Sequence, residues 1–219
     1  MVKKSFKSKN KKKIGFKQFL KRTWRFIWED DSLLSWIVNV VLAFILIKFI
    51  VYPGLGFALS TSHPIVAVVS GSMEHDEGNF DNWWDSAAEC PQECTQEQWY
   101  SHLGISKQEF REFSFKNGFN KGDIMLLKGT KTKNINVGDV IVFQSSLKRE
   151  PIIHRVVEIN DEGSLIFETK GDNNAMKGGI DKNIHENNVI GKAVLRIPYL
   201  GWVKIGFVSL LKVIGINIS

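Results

Sequence analysis

Cysteine is nearly absent from this chain, with two in 219 residues, Cys90 and Cys94. That excludes a disulfide-rich scaffold and a four-cysteine zinc site. The short spacing leaves a local disulfide open, and a metal ion would need two further ligands, for which His75 and His102 lie nearest without finger-like spacing. Acidic residues are missing from the first 28 positions, which carry eleven Lys or Arg, so of the 29 basic residues 18 remain against 23 acids in the rest. The net charge of +6 therefore hides a mildly acidic body of about −5. Histidine is scarce, five in all, which leaves few imidazole bases to choose from. The length excludes two large domains and suits an anchor plus one domain of roughly 150 residues.

What is present begins with one long apolar run. Residues 33–52 are interrupted only by Ser35, Asn39 and Lys48, and as a helix they span roughly 30 Å, the thickness of a bilayer core. Lys48 lies near the far end, where its side chain snorkels, and Pro53 with Gly54 is expected to end the helix. Trp24, Trp28 and Trp36 suit an aromatic belt on the near side. The basic tail with Lys3, Lys4, Lys7, Lys9, Lys11, Lys12 and Lys13 precedes this span directly. It therefore reads as a cytoplasmic flank that meets anionic lipid headgroups, and not as a nucleic-acid arm. The alternative of a cleaved signal rests on Ala58-Leu59-Ser60, but the apolar core is longer than the roughly 7 to 15 residues of an ordinary signal.

Beyond the span, residues 64–69 read as a buried strand leading into Ser70-Gly71-Ser72-Met73. Gly71 leaves room for close backbone approach beside a hydroxyl nucleophile at Ser72, although four residues alone equally describe a turn that closes a strand. Residues 75–120 form an insertion containing Trp83, Trp84, Trp99 and Tyr100, read as a small self-packed subdomain or a partner surface. Ser106 to Glu109 has the pattern of a helix start, with Phe110 and Phe113 facing the body. From Asp123 onward, DIMLLKG, DVIVFQS, IIHRVVEI, SLIFETK and VIGKAVLRI are short β-rich segments separated by Gly, Asn and Asp turns. They indicate an antiparallel sheet folded on itself. The Gly-Asp pairs at Asp123 and Asp139 read as turn residues.

A serine needs a base to take its proton as it attacks a carbonyl, and His154 in Ile152-Ile153-His154-Arg155-Val156 is the candidate. Arg155, adjacent in a strand, faces the other way and reads as structural or a surface contact. A carboxylate completes such a set by holding the imidazole tautomer, and Asp172 in Lys170-Gly171-Asp172-Asn173-Asn174 is the first choice.

Taken in this order, the anchor, the SGSM box, the VGDVIVF strand, the IIHRV box, the KGDNN box and the RIPYLGWV segment resemble type I signal peptidases. The branch is the archaeal and endoplasmic-reticulum one, in which histidine stands where bacterial enzymes carry lysine. The resemblance implies a mostly β fold, a signal-peptidase-like antiparallel catalytic domain behind an N-terminal transmembrane helix, with no cofactor and no metal. It places the Ser70 hydroxyl beside the backbone N–H of Ser72 as the oxyanion donors. Relatives carry a second aspartate about six residues after the first, a place held here by Gly178. Asp181, nine beyond Asp172, is the nearest acid, and the choice between Asp172 and Asp181 stays open. The box also continues to Glu74-His75 where the family usually has proline last.

The expected organisation is a basic cytoplasmic segment at 1–31, an anchor at 32–53 and an extracytoplasmic β peptidase domain at 54–196. A C-terminal segment at 197–219 lies in the interface or spans a second time, Lys204 and Lys212 favouring the interface. The expected activity is removal of N-terminal signal peptides from exported preproteins after small residues in an A-x-A pattern. Preproteins, lipid headgroups and secretion machinery are the partners, and the membrane is the location, with the lumen of the endoplasmic reticulum outside if the cell is eukaryotic. The rivals are a soluble Ser/Lys self-cleaving repressor, which needs lysine at position 154, and a catalytically silent subunit with the same fold.

Overall fold

The computed structural model describes residues 15–75, 79–88, 90, 93–161, 163–174 and 177–213. The lysine-rich tail up to residue 13 and the segment 214–219 lie outside the described residues. The chain divides into two compact units, Met1–Pro53 and Gly54–Ser219.

In the first unit, helix α1 (Phe16–Trp28) is followed by helix α2 (Leu33–Leu46). Ser32 caps α2 by accepting the Ser35 N–H. The two polar interruptions of the apolar run have a definite task here. Ser35 Oγ donates to the Phe26 carbonyl at 2.5 Å and Asn39 Nδ2 to the Ile27 carbonyl at 2.9 Å. Both satisfy carbonyls that the C-terminal turn of α1 leaves without intrahelical donors.

The apolar helix does not stop at Pro53. It continues as a π-helical turn (Ile47–Val51) and helix α3 (Tyr52–Leu59), so that Leu33–Leu59 is one 27-residue helix, long and apolar enough to cross a membrane. Proline lacks the N–H that an α-helix interior requires, and a wide π turn directly before it relieves the clash of its ring with the preceding turn. The helix ends instead at Ser60, whose φ of 53° is left-handed, with the Thr61 N–H returning to the Gly56 carbonyl at 3.0 Å.

The second unit is built on strands β1 (Ile65–Ala67), β2 (Ala87–Ala88), β3 (Cys94–Thr95), β4 (Ile124–Lys128), β5 (Val140–Phe143), β6 (Ile152–Asp161), β7 (Leu165–Lys170), β8 (Ile184–His185) and β9 (Val189–Ile197). Seven of them form one antiparallel sheet in the order β1-β4-β9-β5-β6-β7-β8, and β2 pairs with β3. Register shifts in the β4/β9, β5/β9 and β6/β7 pairs insert extra residues, and such bulges bend and twist strands so that the sheet curls on itself.

Strand β5 is buried at every position and shows how the curl makes two cores. Val140 and Val142 pack with Val68, Met73, Met125, Leu127 and Ile153, whereas Ile141 and Phe143 pack with Ile152, Val156, Phe167 and Ile184. The Gly-Asp turns behave as expected. Asp123 and Asp139 accept the N–H groups of Asn120 and Asn136, and Gly122 and Gly138 both have φ of 91°, which only glycine adopts without strain.

The insertion folds on itself. Helices α4 (Phe80–Asp85), α5 (Gln96–Ser101) and α6 (Lys107–Glu112) enclose Phe80, Trp83, Trp84, Tyr100, Ile105 and Phe110, which pack against Val157 of β6. Its aromatic rings are therefore a third core and not an exposed patch. Ser106 caps α6 as the sequence indicates, and Cys90 is disulfide-bonded to Cys94 beside the β2/β3 pair. Helix α7 (Trp202–Val213) closes the described chain, with Val203, Phe207 and Leu210 exposed.

Candidate active site

His154 lies in β6 opposite Ile141 of β5, so its ring is held in the interior of the sheet with its side chain 4% exposed. Its Nε2 is 3.0 Å from Ser72 Oγ, and its Nδ1 is 2.5 Å from Asp181 Oδ1. Ser72, partly exposed, sits on the turn that follows β1, where the Glu74 N–H closes back on the Gly71 carbonyl at 3.1 Å. A Cβ on Gly71 would lie 2.8 Å from the Glu74 carboxylate, the mobile end of a side chain that could shift to make room. Ser70 Oγ is 3.2 Å from Ser72 Oγ.

Asp181 belongs to a single 3₁₀ turn (Gly179–Asp181) and its side chain is 1% exposed. Thr169 donates to its Oδ1 at 2.8 Å and the Gly178 N–H to its Oδ2 at 3.0 Å. Burial pushes its pKa up, but the His154 hydrogen bond and charge, with Thr169 and Gly178, outweigh it and hold the carboxyl below its usual value. An ionised Asp181 keeps the proton of a neutral His154 on Nδ1 and leaves the Nε2 lone pair facing the serine hydroxyl.

Asp172, the first choice from sequence, does not touch His154. It is fully buried on the other side of β6, where Arg155 holds it with Nε at 2.9 Å and Nη2 at 2.7 Å. His75 Nε2 lies 3.1 Å from its second oxygen, and Tyr100 donates a longer bond of 3.4 Å. Burial opposes its charge, yet the Arg155 guanidinium and the bonds from His75 and Arg155 keep the carboxyl far below the usual carboxylate range. The alternation of a strand forces this separation, because His154 and Arg155 are neighbours and point to opposite faces. Arg155 is therefore fully buried and not a surface contact.

The buried roles of two polar residues escaped the sequence reading. His75 is a buried partner of Asp172, and Lys170 is a buried cation whose Nζ donates to Gln96 Oε1 and to the carbonyls of Gly171 and Asp172. Lys170 also lies 4.9 Å from the Trp99 ring centre, and burial lowers its pKa to about 8. The signal for both was the aromatic insertion, which supplies the surfaces they need. His75 stacks on Trp83 at 3.8 Å and 5°, and Tyr100 covers Asp172 and Lys170.

A cleft of about 540 Å³ opens at Ser72 and His154, walled by Val66, Ala67 and Val69 on one side and by Pro151, Ile152 and Ile153 on the other. Its first wall continues β1, an edge strand of the sheet. Among the described residues no group of three His, Cys, Asp or Glu is placed to hold a metal ion. The arrangement is a hydroxyl, an imidazole and a buried carboxylate in line at the mouth of a cleft with aliphatic walls that Lys148, Glu150 and Asn174 also line, which is what nucleophilic acyl transfer requires.

No family model matches the chain. Among curated proteins, human signal peptidase complex catalytic subunit SEC11C is 33% identical over 99 residues, 42% of this chain and 52% of the relative. The human putative signal peptidase complex catalytic subunit SEC11B is 33% identical over 95 residues, 40% and 57% of the two chains. Signal peptidase complex catalytic subunit SEC11 of Zygosaccharomyces rouxii is 28% identical over 168 residues, 72% of this chain and 73% of the relative. The chain thus spans about half the length of the human relatives it matches. Over these stretches it is similar to signal peptidase complex catalytic subunits.

Proposed function

We propose that this relative of the signal peptidase catalytic subunits is a membrane-anchored serine endopeptidase that removes N-terminal signal peptides from exported preproteins. The observation that carries the reading is the line Asp181–His154–Ser72, with contacts of 2.5 and 3.0 Å. Ser72 Oγ attacks the scissile carbonyl while His154 Nε2 takes its proton, and Asp181 stabilises the imidazolium that forms. The negative oxygen of the tetrahedral intermediate is met by the backbone N–H of Ser72 and the hydroxyl of Ser70. Collapse breaks the peptide bond, leaving the signal segment esterified to Ser72, and His154 gives its proton to the departing amine. A water molecule, deprotonated by His154, then hydrolyses the ester and restores the serine. No cofactor enters these steps.

Substrate choice follows from the cleft. An extended signal segment adds to the edge strand β1, and the aliphatic walls beside Ser72 admit small side chains at the A-x-A positions. Residues 1–31 are assigned to the cytoplasm, because eleven Lys or Arg without an acid precede the apolar helix, and they meet anionic headgroups there. The apolar helix of residues 33–59 is the anchor, and the β domain that follows it works on the extracytoplasmic side, the lumen if the cell has an endoplasmic reticulum. The segment 197–219, with α7, lies in the interface. The relatives are named as subunits of a complex, and this chain is assigned secretion-machinery partners in turn.

The test is incubation of the full chain in liposomes with a preprotein bearing an A-x-A signal, beside Ser72→Ala, with the new amino terminus read by mass. Cleavage after the small residue, absent in Ser72→Ala, is expected. A well-folded wild-type protein that leaves the preprotein intact would overturn the reading in favour of a silent subunit.

A further inference from the structure

The turn that carries Ser72 is fastened to the loop around Asp172 at two levels. At the surface, the Asn173 N–H donates to the Ser72 carbonyl at 2.9 Å and Asn173 Nδ2 to the Gly71 carbonyl at 3.2 Å. Beneath, Met73 is fully buried and its sulfur accepts the Asp172 N–H at 3.4 Å. Three residues after Ser72, the His75 side chain is 2% exposed and reaches the same aspartate.

We infer that His75 is a positioning residue for Ser72. It locks the nucleophile turn onto the Asp172–Arg155 pair from below and transmits the rigidity of the aromatic insertion to that turn. The inference rests on the reading of Ser72 as the nucleophile. Three observations on the page support it. Asp172 cannot yield, because Arg155 grips both of its oxygens and is itself tied to the carbonyls of Ser114, Gly138 and Phe115. The imidazole cannot swing, because Trp83 stacks on it at 3.8 Å and Gly118 lies against it, where an added Cβ would come within 2.6 Å of the ring. The backbone between them cannot slide, because the Phe119 N–H donates to the Met73 carbonyl at 2.9 Å.

The chemistry needs such a lock at this place. A proline after the box would restrict the turn through its ring, and this chain carries histidine there. A bond from the Nε2–H of His75 to a buried carboxylate replaces that restriction with a charge-assisted contact. Its worth lies in the 3.0 Å separation of Ser72 and His154, since a misplacement of about 1 Å in a reacting pair costs about 10²-fold in rate.

The experiment compares wild type, His75→Gln and His75→Leu in liposomes. Glutamine can place an amide N–H near the position of Nε2, whereas leucine fills the space without a donor. His75→Leu is expected to lower kcat per folded molecule by about 10- to 100-fold with KM within about twofold, since the side chain touches no substrate. His75→Gln is expected to recover most of that loss. Hydrogen exchange read by mass spectrometry should show faster exchange of the Asn173 and Phe119 amides in His75→Leu alone, with the amide of Val156 in β6 unchanged. Equal kcat in all three proteins, or equal loss in both variants, overturns the inference. If wild type cleaves nothing, the function reading fails by itself, and the exchange comparison still decides whether His75 holds the turn.

Discussion

His154 and Arg155 are adjacent in β6 and serve two separate carboxylates: the imidazole meets Asp181 at 2.5 Å, and the guanidinium meets Asp172 at 2.7 and 2.9 Å on the opposite side of the strand. The two aspartates lie nine residues apart in sequence. Their removal should therefore fail in different ways.

Asp181→Asn should fold normally and lose about 10³- to 10⁴-fold in kcat, because the amide can no longer hold the proton on Nδ1 or stabilise the imidazolium. Asp172→Asn should instead lose roughly 3–5 kcal/mol of stability, since it leaves the Arg155 charge buried and half-paired. Denaturant unfolding beside steady-state cleavage separates the two. A destabilised Asp181→Asn with normal kcat would reverse the assignment.

His154→Lys should be inactive, losing at least about 10²-fold in kcat. A lysine base must be neutral to accept the serine proton. The Asp181 carboxylate, held ionised by Thr169 and Gly178, would stabilise the ammonium instead. Cleavage by this variant at a rate near wild type would show that imidazole is not required.

Acid should weaken the fold through Asp172. Its carboxyl titrates lower in the folded chain than in the unfolded one, so the unfolded state takes up a proton first as pH falls. The contribution is fully present above the unfolded value of about 4 and is lost progressively below it. The stability gap between wild type and Asp172→Asn should accordingly narrow from pH 5 to pH 3, as measured by urea unfolding. A constant gap across that range would contradict the buried ion pair.

Alkali should act on Lys170 in the opposite sense. Burial lowers its folded pKa to about 8, while an unfolded lysine keeps its proton to about pH 10.4. Between those values the unfolded state binds more protons, so stability from this group rises with pH. Wild type should gain stability relative to Lys170→Met between pH 7.5 and pH 9.5. A relative loss would mean that the Lys170 charge is held by its carbonyl partners more strongly than burial opposes it.

Much of the site was legible because its chemistry sits in local patterns. Ser72 follows a strand and a glycine, and His154 stands in a β-rich segment where few other histidines compete. Asp172 was misleading for a physical reason. The Gly-Asp pairs at Asp123 and Asp139 are turn devices, Asp172 was set apart from them by its neighbours, and its burial suggested nothing about which face of β6 it would join. Asp181 carries no motif of its own, and only the folding back of the chain after β7 brings its 3₁₀ turn beneath His154. Likewise Pro53 and Gly54 read as a helix end, and the π turn that carries the helix through to Leu59 has no sequence signature.

By itself the sequence determined the apolar helix and the β-rich body and singled out the candidate nucleophile and base, because hydrophobic runs, period-two alternation and short boxes are local properties of the chain. It also determined that Arg155 must face away from His154, since successive side chains of a strand alternate. Only the tertiary structure decided which carboxylate each of them meets, that the insertion is a buried aromatic core, and that His75 reaches Asp172. Those are contacts between segments as many as 97 residues apart, set by the curl of the sheet and the packing of three cores. No local pattern encodes them, because burial and pairing at long range depend on every element that closes around the site.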